Sequence, residues 1–209
     1  FLGVVDLFTM KKIVYTDDLG STMATDESPE GELLATAEKW RQELIEAIAE
    51  QDDELLELFF EGKDIPIERL KTALRKATIA GDVLPMLCGS AFKNKGVQPL
   101  LDAVVDYLPS PLDLPAVEGK DPEKESRALT RHATEDDPFC ALAFKIQSDP
   151  FVGTLTYLRV YSGRLESGSV ALNPRTGKRE RIGRLLQMHA NKREDIAVAT
   201  AGNIVAAAG

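Results

Sequence analysis

The chain has 209 residues, of which 44% are hydrophobic and 28% are charged, and its formal net charge is −9. These values are ordinary for a globular protein of one large or two small domains, and the acidic balance argues against a general nucleic-acid binder. No apolar run reaches the roughly 20 residues that span a bilayer. Because the chain begins without Met and stops inside an apolar run, we expect an excised segment of a longer protein.

Residues 1–50 predict a hairpin and then a helix. Apolar segments within residues 2–16 predict two paired strands, and residues 17–31 are typical of a polar loop. Apolar residues at intervals of three or four predict an amphipathic helix over 32–50. The predicted buried stripe of this helix is Leu33, Ala37, Trp40, Leu44 and Ile48.

Two further helices are predicted before residue 82. The first begins at Asp53 and is ended by Gly62. The second begins at Pro66, a favoured first helical position, and ends near Gly81. Its predicted buried residues are Leu70, Leu74 and Ala77.

The charged residues of segment 30–61 are acidic except for Lys39 and Arg41. Glu43, Glu46 and Glu50 share one face of the first predicted helix. One interpretation is an ordinary solvated face. The other is a docking surface for a basic or flexible partner, because one-sided charge is destabilising through self-repulsion.

Residues 83–88 predict a short buried strand, residues 97–108 predict a helix, and Gly89-Ser90-Ala91 lies between them. This is the layout of a ligand loop at the carboxyl edge of an α/β sheet. Small side chains let backbone N–H groups approach a flat ligand closely. No other strand–loop–helix unit is visible, so we expect the strand to have an unpaired edge unless the hairpin covers it.

The second half of the chain predicts a connector and then an all-β part. Residues 109–115 are proline-rich, and residues 118–137 are charged and predicted to be partly mobile. Short apolar segments separated by Gly and Pro turns predict an antiparallel barrel or sandwich. The predicted strands lie at 139–147, 155–164, 169–173 and 179–188, with more expected beyond Gly209.

The segment 175–193 is rich in cations: Arg175, Lys178, Arg179, Arg181, Arg184, Lys192 and Arg193. One interpretation is a solvated barrel edge that is protected from strand addition. The other is a phosphate-contacting surface. Because the segment contains no aromatic residue, any nucleic acid there would be bound through its backbone and shape rather than by base stacking.

The sequence contains no complete active site. It has no G-x-x-x-x-G-K-[ST] phosphate loop, and the D-x-x-G match at 17–20 is expected to be coincidental. Asn94-Lys95 lacks the carboxylate of an N-K-x-D guanine motif, since Val97 stands in its place. His132 and His189 are expected at the surface, and no cluster has metal-ligand spacing. Cys88 and Cys140 are expected to be buried free thiols of a cytosolic protein.

Residues 90–98, followed by Leu101-Asp-Ala-Val-Val-Asp-Tyr-Leu-Pro-Ser-Pro111, closely resemble bacterial elongation factor G, the ribosomal translocase GTPase. The resemblance extends over essentially the whole chain. It continues through residues 141–146, 149–153, 159–163, 188–193 and 201–202.

The resemblance implies an α+β protein in several parts: an α/β insert with the end of a P-loop GTPase fold, then an antiparallel translation-factor β-barrel. Residues 1–80 would be the insert subdomain. Residues 81–113 would be the last strand, guanine motif and final helix of the GTPase domain. Residues 114–137 would be a linker and 138–209 a barrel truncated at its C-terminus. We expect the insert and the barrel to fold better than residues 81–113.

The resemblance also implies functional residues. The backbone N–H groups of Ser90 and Ala91 would read guanine O6, with Phe92 nearby. The acidic helix, with Glu43, Glu46 and Glu50 as candidates, would meet the ribosomal stalk protein. The barrel would contact small-subunit ribosomal RNA, for which the candidates are Arg179, Arg181, Arg184, Lys192 and Arg193.

The phosphate loop, both switches and the N-K-x-D motif of the family do not occur in this sequence. The longer protein would therefore use GTP, GDP and Mg²⁺, whereas this segment is expected to bind none of them, to hydrolyse no GTP and to be monomeric. The alternative is a segment of a release-factor or ribosome-protection GTPase that acts here only as a ribosome-binding module.

Overall fold

The computed structural model describes residues 1–25, 27–121, 127–150, 152–190 and 192–208. The chain divides into two compact units, Phe1–Pro109 and Ser110–Gly209. The predicted α+β class is confirmed, since four helices and antiparallel sheets make up the described residues. Within these residues, no helix is both long and apolar enough to cross a membrane.

The first unit begins with the predicted hairpin. Strand β1 (Gly3–Asp6) pairs with β2 (Lys11–Tyr15), and β2 also pairs with the short β3 (Met23–Ala24). The third strand lies inside the segment that the sequence predicts as a polar loop. The sheet therefore has the order β1-β2-β3 and is antiparallel throughout.

The three predicted helices of the first unit are confirmed: α1 (Gly31–Ala49), α2 (Asp53–Phe60) and α3 (Ile67–Ala80). The Asp52 carboxylate accepts from the amides of α2's first turn, and Gly81 ends α3 with a φ of 86°. Leu70, Leu74 and Ala77 are buried as predicted. The main core of this unit comprises Ile48, Ala49, Leu55, Ile65, Leu70, Ala73, Leu74 and Tyr107.

The predicted apolar stripe of α1 is correct for three of its five residues, among which Leu44 is partly buried against the core. Ala37 and Ile48 are buried, but Leu33 is 48% exposed and Trp40 is 52% exposed. The buried arc is displaced because the half-buried Arg41 reaches inward, where its guanidinium donates hydrogen bonds to the Leu7 and Phe8 carbonyls of the hairpin. Arg41 thus lies on the inner face of α1, and the neighbouring Trp40 side chain lies on the outer face.

The predicted buried strand at 83–88 is wrong. The segment has no regular structure, and Leu84 and Met86 are 82% and 93% exposed. A strand is stabilised by hydrogen bonds to a neighbouring strand, and no described strand pairs with this segment. Cys88 is consequently exposed, which corrects the expectation of a buried thiol, whereas Cys140 is half-buried.

The predicted helix after this segment is confirmed as α4 (Val97–Tyr107). It is held against α3 by polar contacts: Lys71 Nζ lies 3.1 Å from Asp106 Oδ2, and Arg75 Nη1 donates to the Asp106 carbonyl at 2.9 Å. Tyr107 packs into the core, and burial raises the pKa of its hydroxyl to about 12, with smaller contributions from nearby carboxylates.

The second unit begins with a hairpin inside the predicted linker. Strand β4 (Val117–Lys120) pairs with β5 (Ala128–Arg131). The polar composition of this segment gave no sign of pairing, so the sequence predicts only a connector. Residues 122–126 of the predicted mobile stretch lie outside the described residues.

The predicted barrel-like part is confirmed as a set of antiparallel strands. The strands are β6 (Cys140–Asp149), β7 (Gly153–Ser162), β8 (Arg164–Glu166), β9 (Val170–Asn173), β10 (Lys178–Arg181), β11 (Arg184–His189), β12 (Lys192–Ile196), β13 (Val198–Thr200) and β14 (Ile204–Ala208). Five of them form a sheet with the order β12-β11-β14-β7-β6, and two shorter pairs, β8 with β13 and β9 with β10, accompany it.

Strand alternation places apolar residues on both faces of the five-stranded sheet. One face carries Leu158, Val160, Leu185 and Val205, which pack with Leu165 of β8. The opposite face carries a second cluster that contains Leu155, Leu186 and Ala206. The five-stranded sheet thus packs apolar residues on both of its faces.

Candidate functional site: the turn at 90–96

Residues 90–96 form a closed turn between the irregular segment and α4. The Ser90 amide donates to the Lys95 carbonyl at 2.7 Å, and the Lys95 amide donates back to the Ser90 carbonyl at 3.1 Å. A short 3-10 helix, Ala91–Lys93, lies between these two residues. Asn94 follows with a φ of 51° and Gly96 with a φ of 84°.

Two glycines let the ends of this turn approach each other. A Cβ on Gly89 would lie 2.8 Å from the Lys95 carbonyl oxygen, and one on Gly96 would lie 2.7 Å from the Cys88 carbonyl oxygen. Contacts this short do not occur for a real side chain, and the positive φ of Gly96 adds backbone strain for any other residue. The close approach of the two ends of the turn therefore requires glycine at the first position of the Gly89-Ser90-Ala91 sequence, and not merely a small residue.

The hairpin of the first unit supports this turn through Tyr15. The Tyr15 hydroxyl accepts a 2.6 Å hydrogen bond from the Gly96 amide and donates one of 3.2 Å to Gln98 Oε1. The Gly20 carbonyl accepts from Gln98 Nε2 at 3.0 Å and from Asn94 Nδ2 at 3.3 Å. Tyr15 is 5% exposed, and its hydrogen bond from the Gly96 amide is buried, whereas the other three bonds are partly buried.

The loop that carries Gly20 is organised by Asp17. Its carboxylate accepts from the hydroxyl of Thr22 and from the amides of Ser21, Thr22 and Leu19. These bonds, that of the Thr22 hydroxyl first, hold the pKa of Asp17 well below its usual range. Because the pKa is lowered on folding, the stability that these bonds contribute is fully present above the ordinary Asp pKa of about 3.9. It is lost as the pH falls from there to the lowered pKa of the folded state. The D-x-x-G match at 17–20 thus has a structural explanation.

The three predicted guanine-site residues differ in what they offer a ligand. The Ser90 amide is occupied by the Lys95 carbonyl. The Ala91 amide donates to no acceptor within the described ranges, and Ala91 itself is exposed. The Phe92 side chain is fully exposed. Of the predicted pair of backbone donors, the Ala91 N–H is therefore the one available to the edge of a flat ligand.

In the described part of the chain, no group of three or more His, Cys, Asp or Glu side chains could hold a metal ion. His132 and His189 are exposed, as expected, and His132 lies 3.2 Å from Asp137. What the turn offers a ligand is therefore one backbone hydrogen-bond donor, the Ala91 N–H.

The acidic candidates lie on the outer face of α1. Glu43, Glu46 and Glu50 are exposed, and Lys39 Nζ lies 3.8 Å from Glu43. The last turn of α1 contains no basic residue, although the helix macrodipole favours cations there. These carboxylates thus occupy positions that are unfavourable for the helix itself.

The structure places the basic candidates on two hairpins. Arg179 and Arg181 lie on the exposed strand β10, beside Leu172 and Val170 of β9. Arg184 and Arg193 lie on the other hairpin, formed by β11 and β12. Both are in ion pairs: Arg184 lies 4.0 Å from Asp195, and Arg193 lies 2.8 Å from Asp149 of β6.

Lys192 lies on the same hairpin as Arg184 and Arg193, at the start of β12, and is exposed. The residue before it, 191, lies outside the described residues. Because carboxylates already pair with Arg184 and Arg193, β10 carries the cations that are most available to a phosphate backbone.

Sequence reasoning missed the residues that hold the turn. Tyr15 and Gln98 are separated by 83 positions, and no periodic pattern or motif links them. The Gly20 carbonyl is a backbone acceptor, which any residue could supply. A single sequence contains no signal for these contacts, because they depend on how the hairpin folds back onto the turn.

Comparison with known proteins finds that part of the chain is similar to a known family. Residues 138–209 match the family model for elongation factor G domain 2. Among solved structures, the chain is similar to the Thermus thermophilus protein ttk003000868, with 28% sequence identity and a TM-score of 0.74. That match covers 99% of this chain and 28% of the other, so the chain spans little more than a quarter of that protein's length.

The support from Tyr15 can be tested by removing its hydroxyl. In Tyr15→Phe the buried Gly96 amide loses its acceptor, which we expect to destabilise the first unit by about 1–3 kcal/mol. Urea unfolding followed by far-UV circular dichroism measures this unit, since the helices of the described residues all lie in it. Tyr161→Phe, in the second unit, is the control, and equal stability of the first unit in both variants would contradict the assignment.

Proposed function

We propose that this chain is a central segment of a translational GTPase of the elongation factor G type. The observation that carries the proposal is the match of residues 138–209 to elongation factor G domain 2. The turn at 90–96 supports it, because the Ala91 amide donates to no acceptor within the described ranges and would serve as a donor to a purine carbonyl. The segment would supply ribosome-binding surfaces and one wall of a guanine pocket in the cytosol.

In this proposal the Ala91 N–H donates to guanine O6, and the side chain of Phe92 lies at the rim of the pocket. Ser90 acts through its position, since its amide closes the turn on Lys95. GTP or GDP is bound mainly through its phosphates and Mg²⁺, for which this sequence has no phosphate loop. The segment by itself is therefore not a GTPase.

Calorimetry with GDP and Mg²⁺ tests that statement. A dissociation constant of 1 mM requires about −4.1 kcal/mol, whereas one amide hydrogen bond contributes only about 0.5–1.5 kcal/mol. We therefore expect no binding tighter than millimolar and no phosphate release from GTP. Micromolar affinity for GDP would show that the segment contains a nucleotide site that this proposal lacks.

The acidic face of α1 is proposed as the contact for the ribosomal stalk protein. Its support is the exposure of Glu43, Glu46 and Glu50 and their unfavourable position at the C-terminal half of the helix. A basic partner would relieve the repulsion among these carboxylates.

Charge reversal tests the acidic face. The triple variant Glu43→Lys, Glu46→Lys and Glu50→Lys should abolish binding of purified stalk protein in calorimetry, since it replaces attraction by repulsion. The control reverses three exposed glutamates of the second unit, Glu118, Glu166 and Glu194, and so makes the same change in net charge. Unchanged affinity in the α1 variant would leave the solvated-face interpretation.

The second unit is proposed to contact small-subunit ribosomal RNA through its hairpin ends. Arg179 and Arg181 project from the exposed strand β10, and Lys192 is exposed on β12. Arg184 and Arg193 would contribute after exchanging their carboxylate partners for phosphates. Such binding would depend on the backbone and shape of the RNA and would weaken as salt concentration rises.

A further inference from the structure

A small cavity lies in the second unit, where the proline-rich connector meets strands β5 and β7. Leu114, Pro115 and Val117 form its apolar wall, and Arg131 of β5 and Arg159 of β7 line it as well. Its volume is about 60 Å³, which is room for about four water-sized groups. We call this space the arginine cavity. All of its lining residues belong to one compact unit, so its shape is set within that unit.

The connector wall of the arginine cavity is held in place by its own contacts. The Asp113 carboxylate accepts a 2.6 Å hydrogen bond from the Ser110 amide, and the Asp113 amide donates to the Ser110 carbonyl at 3.1 Å. Pro111 lies against Gly202, where an added Cβ would lie 3.3 Å from Pro111 Cγ. Gly202 also has a φ of 92°, which disfavours any other residue. The cavity is therefore preformed, and a ligand would lose little affinity to ordering it.

The two arginines of the cavity are positioned by contacts that leave their charge available. The Arg159 guanidinium lies 5.3 Å from the centre of the Tyr161 ring, in a cation–π contact. Arg131 Nη1 donates to the Thr130 carbonyl at 3.0 Å. Among the ion pairs of the described residues, none includes Arg131 or Arg159. Both guanidinium groups are half-buried, so they are partly removed from water without a carboxylate to compensate them.

The carboxylate of Asp137, which lies near Arg131, is already engaged by His132. It accepts from the His132 amide at 2.7 Å and lies 3.2 Å from His132 Nδ1. The His132 amide, with smaller contributions from the His132 ring and from Arg131, holds the pKa of Asp137 below its usual range. Asp137 thus stays ionised next to its own partner and does not form an ion pair with Arg131.

The chemistry of the cavity matches an oxyanion. A guanidinium group offers parallel N–H donors that bind phosphate or carboxylate oxygens in pairs. Apolar walls strengthen this attraction, because they lower the local dielectric constant. Room for about four water-sized groups corresponds to the four oxygens of a phosphate and is too small for a nucleobase.

We propose that the arginine cavity binds a single phosphate group, with Arg131 and Arg159 donating to its oxygens from two different strands. The site goes beyond the proposed function, since no residue proposed there to contact guanine, the stalk protein or RNA lines the cavity.

Inorganic phosphate is the probe, added to the ¹⁵N-labelled 209-residue chain and followed by two-dimensional NMR. We expect the amide signals of Arg131, Arg159 and Tyr161 to shift and to saturate at about millimolar phosphate. Sodium chloride of equal ionic strength should leave them unchanged. Ribose 5-phosphate distinguishes the source of the phosphate. Equal shifts would assign the cavity to the end of a larger phosphorylated molecule, and shifts with inorganic phosphate alone would assign it to the free anion.

Variants test the two arginines separately. Arg131→Gln and Arg159→Gln should each weaken phosphate binding about tenfold or more, since each removes charge-assisted hydrogen bonds. Arg159→Lys should bind with intermediate affinity, because it keeps the charge and loses the paired donors. Arg175→Gln is the matched control: Arg175 is an exposed residue of the turn between β9 and β10, and its loss changes the net charge equally.

Three results would overturn the inference. The first is the absence of saturable shifts with either phosphate probe. The second is a loss of affinity in Arg175→Gln as large as in the cavity variants, which would show only general attraction of anions. The third is normal affinity in Arg131→Gln, which also decides the question if Arg159→Gln alters the fold by losing its contact with Tyr161.

Discussion

The buried hydrogen bond from the Gly96 amide to the Tyr15 hydroxyl is the contact on which the turn at 90–96 depends. It joins groups 81 positions apart and lies beside the second link, from Gln98 to the Gly20 carbonyl. The irregular segment before the turn pairs with no strand among the described residues, so strand pairing does not hold the turn in place. The hairpin does so instead, and the Ala91 amide of the same turn donates to no described acceptor. The proposed guanine contact depends on this arrangement.

Local sequence patterns predict the helices and strands whose buried face is set by their own residues. The hairpin, α1 to α4 and most strands of the second unit follow from periodicity and from residues such as Pro66 and Gly81. The segment 83–88 was predicted wrongly because an apolar run is buried only where a partner covers it. The apolar pattern predicts that Trp40 is buried, because an indole is more hydrophobic than a guanidinium. In the structure Arg41 turns inward instead, since its guanidinium donates hydrogen bonds to two backbone carbonyls.

The candidate sites divide in the same way. The resemblance implies Ser90, Ala91 and Phe92 as guanine-site residues. The geometry distinguishes two of them, since the Ser90 amide closes the turn whereas the Ala91 amide donates to no acceptor within the described ranges. The basic run was visible in the sequence, yet its pairing with Asp149 and Asp195 was not, because ion pairs between distant strands depend on the sheet.

The proposed guanine contact requires that the turn at 90–96 is closed and that the Ala91 N–H is available as a donor. Backbone amide exchange measured by NMR tests this directly. The amides of Ser90 and Gly96 are hydrogen-bonded, so they should exchange slowly, whereas the Ala91 amide in the same turn should exchange at nearly the rate of an unstructured peptide. Protection of Ala91 equal to that of Ser90 would contradict the account, because no donor would then remain for a base. Rapid exchange at Gly96 would contradict it as well, because the turn would lack its support from Tyr15.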